Sequence, residues 1–125
     1  MPLDIQIHAE PNEGKRISLA GSLDTDTATQ LQEKIDREID STVHMIIMDL
    51  RRLEFLSSAG LRVIFKTKKL MDSHEGKFML VNLQPQVRKV FDIIKALDGM
   101  NVFRSQEEMD EYLAAMQHKV MDGDA

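Results

Sequence analysis

The chain has 125 residues, 42% of them hydrophobic and 30% charged, which suits one globular domain with a single core. It has no cysteine, which excludes disulfides and thiolate metal sites, and a net charge of −5 with one tyrosine and no tryptophan argues against nucleic-acid binding. No apolar run approaches the roughly 20 residues of a membrane span, and the first residues lack the basic and apolar regions of a signal peptide, so a cytoplasmic protein is expected.

Leu3, Ile5 and Ile7 alternate with polar neighbours, as in a half-buried strand. The turn residues Pro11-Asn12-Glu13-Gly14 follow, and the alternation resumes over 17–20. The two strands read as a hairpin that Gly21-Ser22-Leu23-Asp24 closes. The spacing predicts a helix over 25–40, with Thr27 and Gln30 at capping-box distance and Ala28, Leu31, Ile35 and Ile39 on one stripe. Residues 43–50 are almost all apolar, as in a strand covered on both faces. A short loop leads into a helix from Ser58 to His74, stopped by Gly76, and residues 78–81 form another covered strand. Pro85 opens a third helix, with Val87, Val90, Phe91, Ile94 and Leu97 on one face and Gly99 as its stop. A short strand over 101–103 precedes a last helix, begun by Ser105 and Glu108, with Met109, Tyr112, Leu113 and Met116 on one side. Strands alternating with helices predict an α/β sandwich, its sheet mixed but mostly parallel, with four to five strands and about four helices. One domain over 1–118 and a flexible tail over 119–125 complete the expected organisation.

The stretch Phe55-Leu56-Ser57-Ser58-Ala59-Gly60-Leu61 carries the chemistry. It presents a serine hydroxyl in the first turn of a helix, where free N–H groups and the helix dipole favour negative charge. Ser58 is therefore placed to carry a phosphate; as a plain cap it would contribute about 1 kcal/mol and nothing more. At 100° per residue, Gly60, Val63, Ile64, Thr67, Leu70, Met71 and His74 share the expected core face. Ser58, Leu61, Arg62, Phe65 and Lys69 fall opposite, so Leu61 and Phe65 are expected beside the serine on a docking surface. Arg62 and Lys69 are candidates to receive an acidic partner or phosphate groups.

With these residues identified, the chain resembles the STAS domain, in particular the bacterial anti-sigma factor antagonists. The resemblance rests on Gly21-Ser22-Leu23-Asp24, on Asp49-Leu50 followed by Leu53 and Phe55 to Leu61, and on Pro85 with Val87, Val90 and Phe91. It implies a non-enzymatic, cofactor-free protein that binds an anti-sigma factor with serine-kinase activity when unphosphorylated. The kinase then phosphorylates one serine and releases the complex, and a PPM-type phosphatase resets it. By its place in the motif that serine is Ser58, and Asp24 matches a position close to it. The family often has aspartate where Ser57 stands and serine or threonine where Ala59 stands, which makes Ser57 a second candidate hydroxyl. The expected partner-binding residues are Asp24, Ser57, Ser58, Gly60, Leu61, Arg62, Phe65 and Lys69.

Other chemistries fit the residues less well. A hydrolase nucleophile elbow needs Gly-x-Ser-x-Gly, and position 56 is leucine. The four histidines, His8, His44, His74 and His118, show no paired ligand spacing, and no glycine-rich phosphate loop is present. The remaining alternative lies inside the same family: a constitutive subunit of a lipid-transport ABC complex or of a stress-signalling assembly.

Overall fold

The computed structural model describes residues 2–93 and 101–121. β1 (Leu3–Glu10) and β2 (Gly14–Leu23) form the expected hairpin, and α1 (Thr25–Glu38), β3 (Met45–Leu56), α2 (Ser58–Ser73) and β4 (Lys77–Val81) follow. α3 (Pro85–Ile93), β5 (Asn101–Phe103) and α4 (Gln106–Met121) complete the chain. The sheet runs in the order β1-β2-β3-β4-β5, with the hairpin antiparallel and every other pair parallel. The α/β sandwich with a mixed sheet, five strands and four helices is therefore observed. Expected features at Ile94, Leu97 and Gly99, the side chains of Met116 and His118, and the tail residues 122–125 lie outside the described residues.

Strand alternation divides the core into two layers. Ile46, Met48 and Leu50 of β3, with Phe78 and Leu80 of β4, pack with Leu31 and Ile35 of α1, Ile64 and Met71 of α2, and Val87 and Phe91 of α3. Ile47, Met79 and Val81 point the other way and meet Phe103 and Met109, with Tyr112 and Leu113 alongside, so α4 covers the opposite face. The start of α4 is fixed through Arg16, which bonds Gln106 and pairs with Glu10 at 3.0 Å and Asp49 at 3.1 Å.

Two sequence expectations change. β3 does not stop at residue 50 but continues to Leu56. While β2 advances from Ser18 to Ala20, β3 advances from Asp49 to Arg52; while β2 advances from Gly21 to Ser22, β3 advances from Leu53 to Phe55. Each shift inserts one extra residue into β3. The buried leucines therefore fall three apart, at Leu50, Leu53 and Leu56, with Arg51-Arg52 and Glu54-Phe55 exposed between them. Gly21 answers the second bulge on β2: its φ is 103°, and a Cβ there would lie 2.2 Å from the Pro2 carbonyl. The second change concerns α1, whose capping box is Asp24 with Thr27, not Thr27 with Gln30.

Candidate functional site

α1 and α2 begin side by side. Asp24 caps α1, its Oδ1 accepting the N–H groups of Thr27 at 2.9 Å and Asp26 at 3.0 Å, while Thr27 Oγ1 accepts the Asp24 N–H at 2.8 Å. The Thr27 N–H, then the Thr27 hydroxyl and the Asp26 N–H, hold the Asp24 carboxyl below its ordinary pKa. One residue earlier, the Leu23 carbonyl accepts the Ser57 N–H at 2.9 Å and so joins the end of β2 to the start of α2.

Ser57 is the cap of α2: its Oγ accepts the Gly60 N–H at 3.1 Å. Ser58 is the first helical residue, exposed, and its hydroxyl has no hydrogen-bond partner among the described residues. The two neighbouring serines thus have different tasks, one closing the helix end and the other standing free in solvent. The first turn of α2 holds no acidic side chain, so its positive end is not neutralised as the α1 end is by Asp24. Gly60 lets α2 approach the sheet, because a Cβ there would stand 2.4 Å from Leu23 Cγ.

The docking surface expected on α2 is corrected at two residues. Leu61 is only 6% exposed and belongs to the core, and Phe65 is half-buried against it. α2 contacts β3, β4 and α1, so its buried arc is wider than that of a helix lying on one sheet face. Arg62 and Lys69 are exposed, as is Lys66, and none of the three makes an ion pair among the described residues. Arg62 and Lys66 line a groove between α2 and α1, with Thr25, Ala28, Ala59 and Val63.

The large apolar side chain that is exposed among the described residues is instead Phe55, which is 52% exposed, opposite Ser22 on β2 and three residues before Ser58 in the chain. The sequence signal for it is the three-residue spacing of Leu50, Leu53 and Leu56, which a two-residue strand period hides. No group of three or more metal-binding side chains comes together among the described residues, and no helix among them is long and apolar enough to cross a membrane.

One hairpin, three parallel crossovers and a free serine at the head of the second helix define a small α/β domain of a particular kind. The chain belongs to the STAS domain family, whose model matches residues 6–109. It is 35% identical over 89 residues to BtrV of Bordetella bronchiseptica, spanning 71% of this chain and 77% of that protein. It is 29% identical over 106 residues to the anti-sigma F factor antagonist of Paenibacillus polymyxa, spanning 83% of this chain and 91% of that one. Among solved structures, it is similar to the anti-sigma factor antagonist SpoIIAA in its unphosphorylated form, with a TM-score of 0.70 and 26% identity over 91% of this chain and 98% of that one. The phosphorylated form of the Bacillus SpoIIAA matches with a TM-score of 0.70 and 27% identity over 88% of this chain and 99% of that one.

Proposed function

We propose that this protein is an anti-sigma factor antagonist that acts as a phosphorylation-controlled partner switch in the cytoplasm. The unphosphorylated chain binds an anti-sigma factor with serine-kinase activity, that kinase phosphorylates Ser58, and a PPM-type phosphatase removes the phosphate. The chain itself performs no catalysis; it is the kinase's substrate and ligand. The observation that carries this reading is the division of labour at the head of α2: Ser57 holds the helix end and leaves the Ser58 hydroxyl exposed. The existence of SpoIIAA in phosphorylated and unphosphorylated forms supports it.

The physical chemistry separates folding from binding. A phosphate adds about −1.5 to −2 charge units at Ser58. Within the chain it meets the uncompensated end of α2 and, one turn on, the exposed Arg62, for about 0.3–1 kcal/mol of stabilisation. At an interface beside Phe55 the same dianion must lose its water. A cost of about 3 kcal/mol weakens binding roughly a hundredfold. The fold survives and the complex separates. Partner contacts in this reading come from Asp24, Ser57, Ser58, Arg62 and Lys69, with Phe55 in the place expected of Leu61; Gly60, buried against Leu23, shapes the site from beneath and does not touch the partner.

The test is to purify the protein from its native host and map phosphate by mass spectrometry, then to compare binding of the co-purifying kinase to Ser58→Ala and Ser58→Asp. Phosphate on Ser58 with weak binding only by Ser58→Asp supports the switch. Equal binding by both variants and no phosphate would leave a constitutive subunit.

A further inference from the structure

β1 is one edge of the sheet, and only its β2 side is paired. In an antiparallel pair, residues alternate between those whose N–H and C=O face the neighbouring strand and those whose groups face away. The phase is fixed at the start of the strand, where the Pro2 carbonyl accepts the Ser22 N–H at 3.4 Å. In the unbroken register that pairs Leu3 with Gly21 and Glu10 with Gly14, even-numbered residues of β1 therefore bond β2. Leu3, Ile5, Ile7 and Ala9 turn their backbone groups to the open edge. The Lys34 ammonium, reaching from α1 to the Ile5 carbonyl at 3.5 Å, touches this outward row.

Lys34 must swing off the Ile5 carbonyl before another strand can pair there, but β1 itself carries little that protects the edge. Proteins commonly blunt an exposed edge strand with lysine, proline or a bulge, and residues 3–10 contain none of these. On the helix-covered side, Leu3, Ile5 and Ile7 are only half-buried against the core. On the other side, Asp4, Gln6 and His8 form an exposed row, with Gln6 Nε2 at 3.4 Å from Asp4 Oδ2 and His8 Nε2 at 3.3 Å from Gln6 Oε1.

We infer that β1 pairs antiparallel with β1 of a second copy, about a two-fold axis at Gln6, to make one continuous sheet. Outward groups meet only when odd-numbered residues face odd-numbered residues; axes at Asp4 or His8 then bond only two open residues of each copy, which leaves axes at Ile5, Gln6 or Ile7. The axis at Gln6 sets Leu3 against Ala9 and Ile5 against Ile7, so all four open residues of each copy are bonded. It also sets the Asp4 carboxylate against the His8 imidazole, once on each side of the axis. An axis at Ile5 leaves Ala9 without a partner in the strand and separates Asp4 from His8. An axis at Ile7 brings Asp4 against Glu10, two carboxylates. Self-complementarity in bonding, apolar side chains and charge thus selects one register.

Sedimentation of the full chain over a wide concentration range tests this. The parent should associate to a dimer as concentration rises. Ala9→Pro removes an N–H that points only to the open edge, on an exposed residue, so it should fold with an unchanged circular dichroism spectrum and remain monomeric. Asp4→Lys should raise the dissociation constant about tenfold, since two cross-strand pairs are lost. Asp4→Lys combined with His8→Glu reverses both partners and should restore the dimer. A parent that stays monomeric at every concentration would overturn the proposal. So would a dimer whose dissociation constant is the same in the parent, Ala9→Pro and Asp4→Lys.

Discussion

Gly60 and Leu23 are in contact across the junction between β2 and α2, and they approach so closely that a Cβ on Gly60 would stand 2.4 Å from Leu23 Cγ and 3.0 Å from the Leu23 carbonyl oxygen. Gly60 is a helical residue without positive φ, so its role is to leave space and not to adopt an unusual backbone conformation. The same Leu23 carbonyl accepts the Ser57 N–H, so the cap and the close approach hold one end of α2 together.

Gly60→Ala should therefore displace the first turn of α2. Alanine favours a helix over glycine by about 1 kcal/mol, whereas overpacking costs about 1–3 kcal/mol, so a net loss of up to about 2 kcal/mol is expected. Urea unfolding measures it, and a variant as stable as the parent would show that Leu23 yields freely. Phosphorylation of Ser58 should slow as well, because the hydroxyl moves with the turn.

The two serines should separate cleanly under substitution. Ser57→Ala removes the acceptor of the Gly60 N–H and should cost about 1 kcal/mol of stability. Ser58→Ala touches no internal hydrogen bond and should stay within about 0.5 kcal/mol of the parent, while abolishing phosphate transfer. Thermal melts and kinase labelling read the two effects independently. A large stability loss in Ser58→Ala would contradict the assignment of the cap to Ser57.

The acid limb of the stability profile should depend on Asp24. Its folded pKa lies below the ordinary value of an aspartate carboxyl, chiefly through the Thr27 N–H. A depressed carboxyl contributes stability that is fully present above the unfolded value and is lost as pH falls through the folded value. Asp24→Asn keeps an acceptor oxygen but cannot titrate, so its melting temperature should fall less steeply than the parent's below about pH 4. Part of the slope should remain in that variant. Asp40 is depressed too, by the Thr42 hydroxyl and then the Thr42 N–H. An identical acid limb in parent and variant would remove Asp24 from this account.

Much of this architecture is legible from spacing. The 3.6-residue stripe of Ala28, Leu31, Ile35 and Ile39 is buried as expected, and the two-residue period of Leu3, Ile5 and Ile7 marks β1. What spacing misreads are places where one period is broken or one partner is unseen. The bulges of β3 turn its inward period from two to three, so a two-residue period reads residues 51–56 as a loop. A helical wheel for α2 presumes a single covering layer, yet α1 lies alongside as well as the sheet beneath. Leu61 therefore lies on the buried side although the wheel sets it toward solvent, and the exposed Phe55 gives no signal at a two-residue period. Ser57 and Ser58 were both legible as candidates, but only the geometry distinguishes the capping hydroxyl from the free one.

That reassignment has a direct test. Leu61 is buried in the core, so Leu61→Ala should cost about 2–5 kcal/mol and lower partner binding only as far as the fold is lost. Phe55 is 52% exposed, so Phe55→Ala should leave stability within about 0.5 kcal/mol. An aromatic side chain buried on docking typically contributes more than 1 kcal/mol, so Phe55→Ala should weaken partner binding by about tenfold. Chemical denaturation and calorimetric titration with the kinase separate the two. If Phe55→Ala bound like the parent, the apolar contact near Ser58 would have to lie elsewhere, with the α1–α2 groove as the remaining candidate. That groove carries Arg62 and Lys66 over an apolar floor of Ala28, Ala59 and Val63, and its loss of function would follow charge reversal, not aromatic truncation.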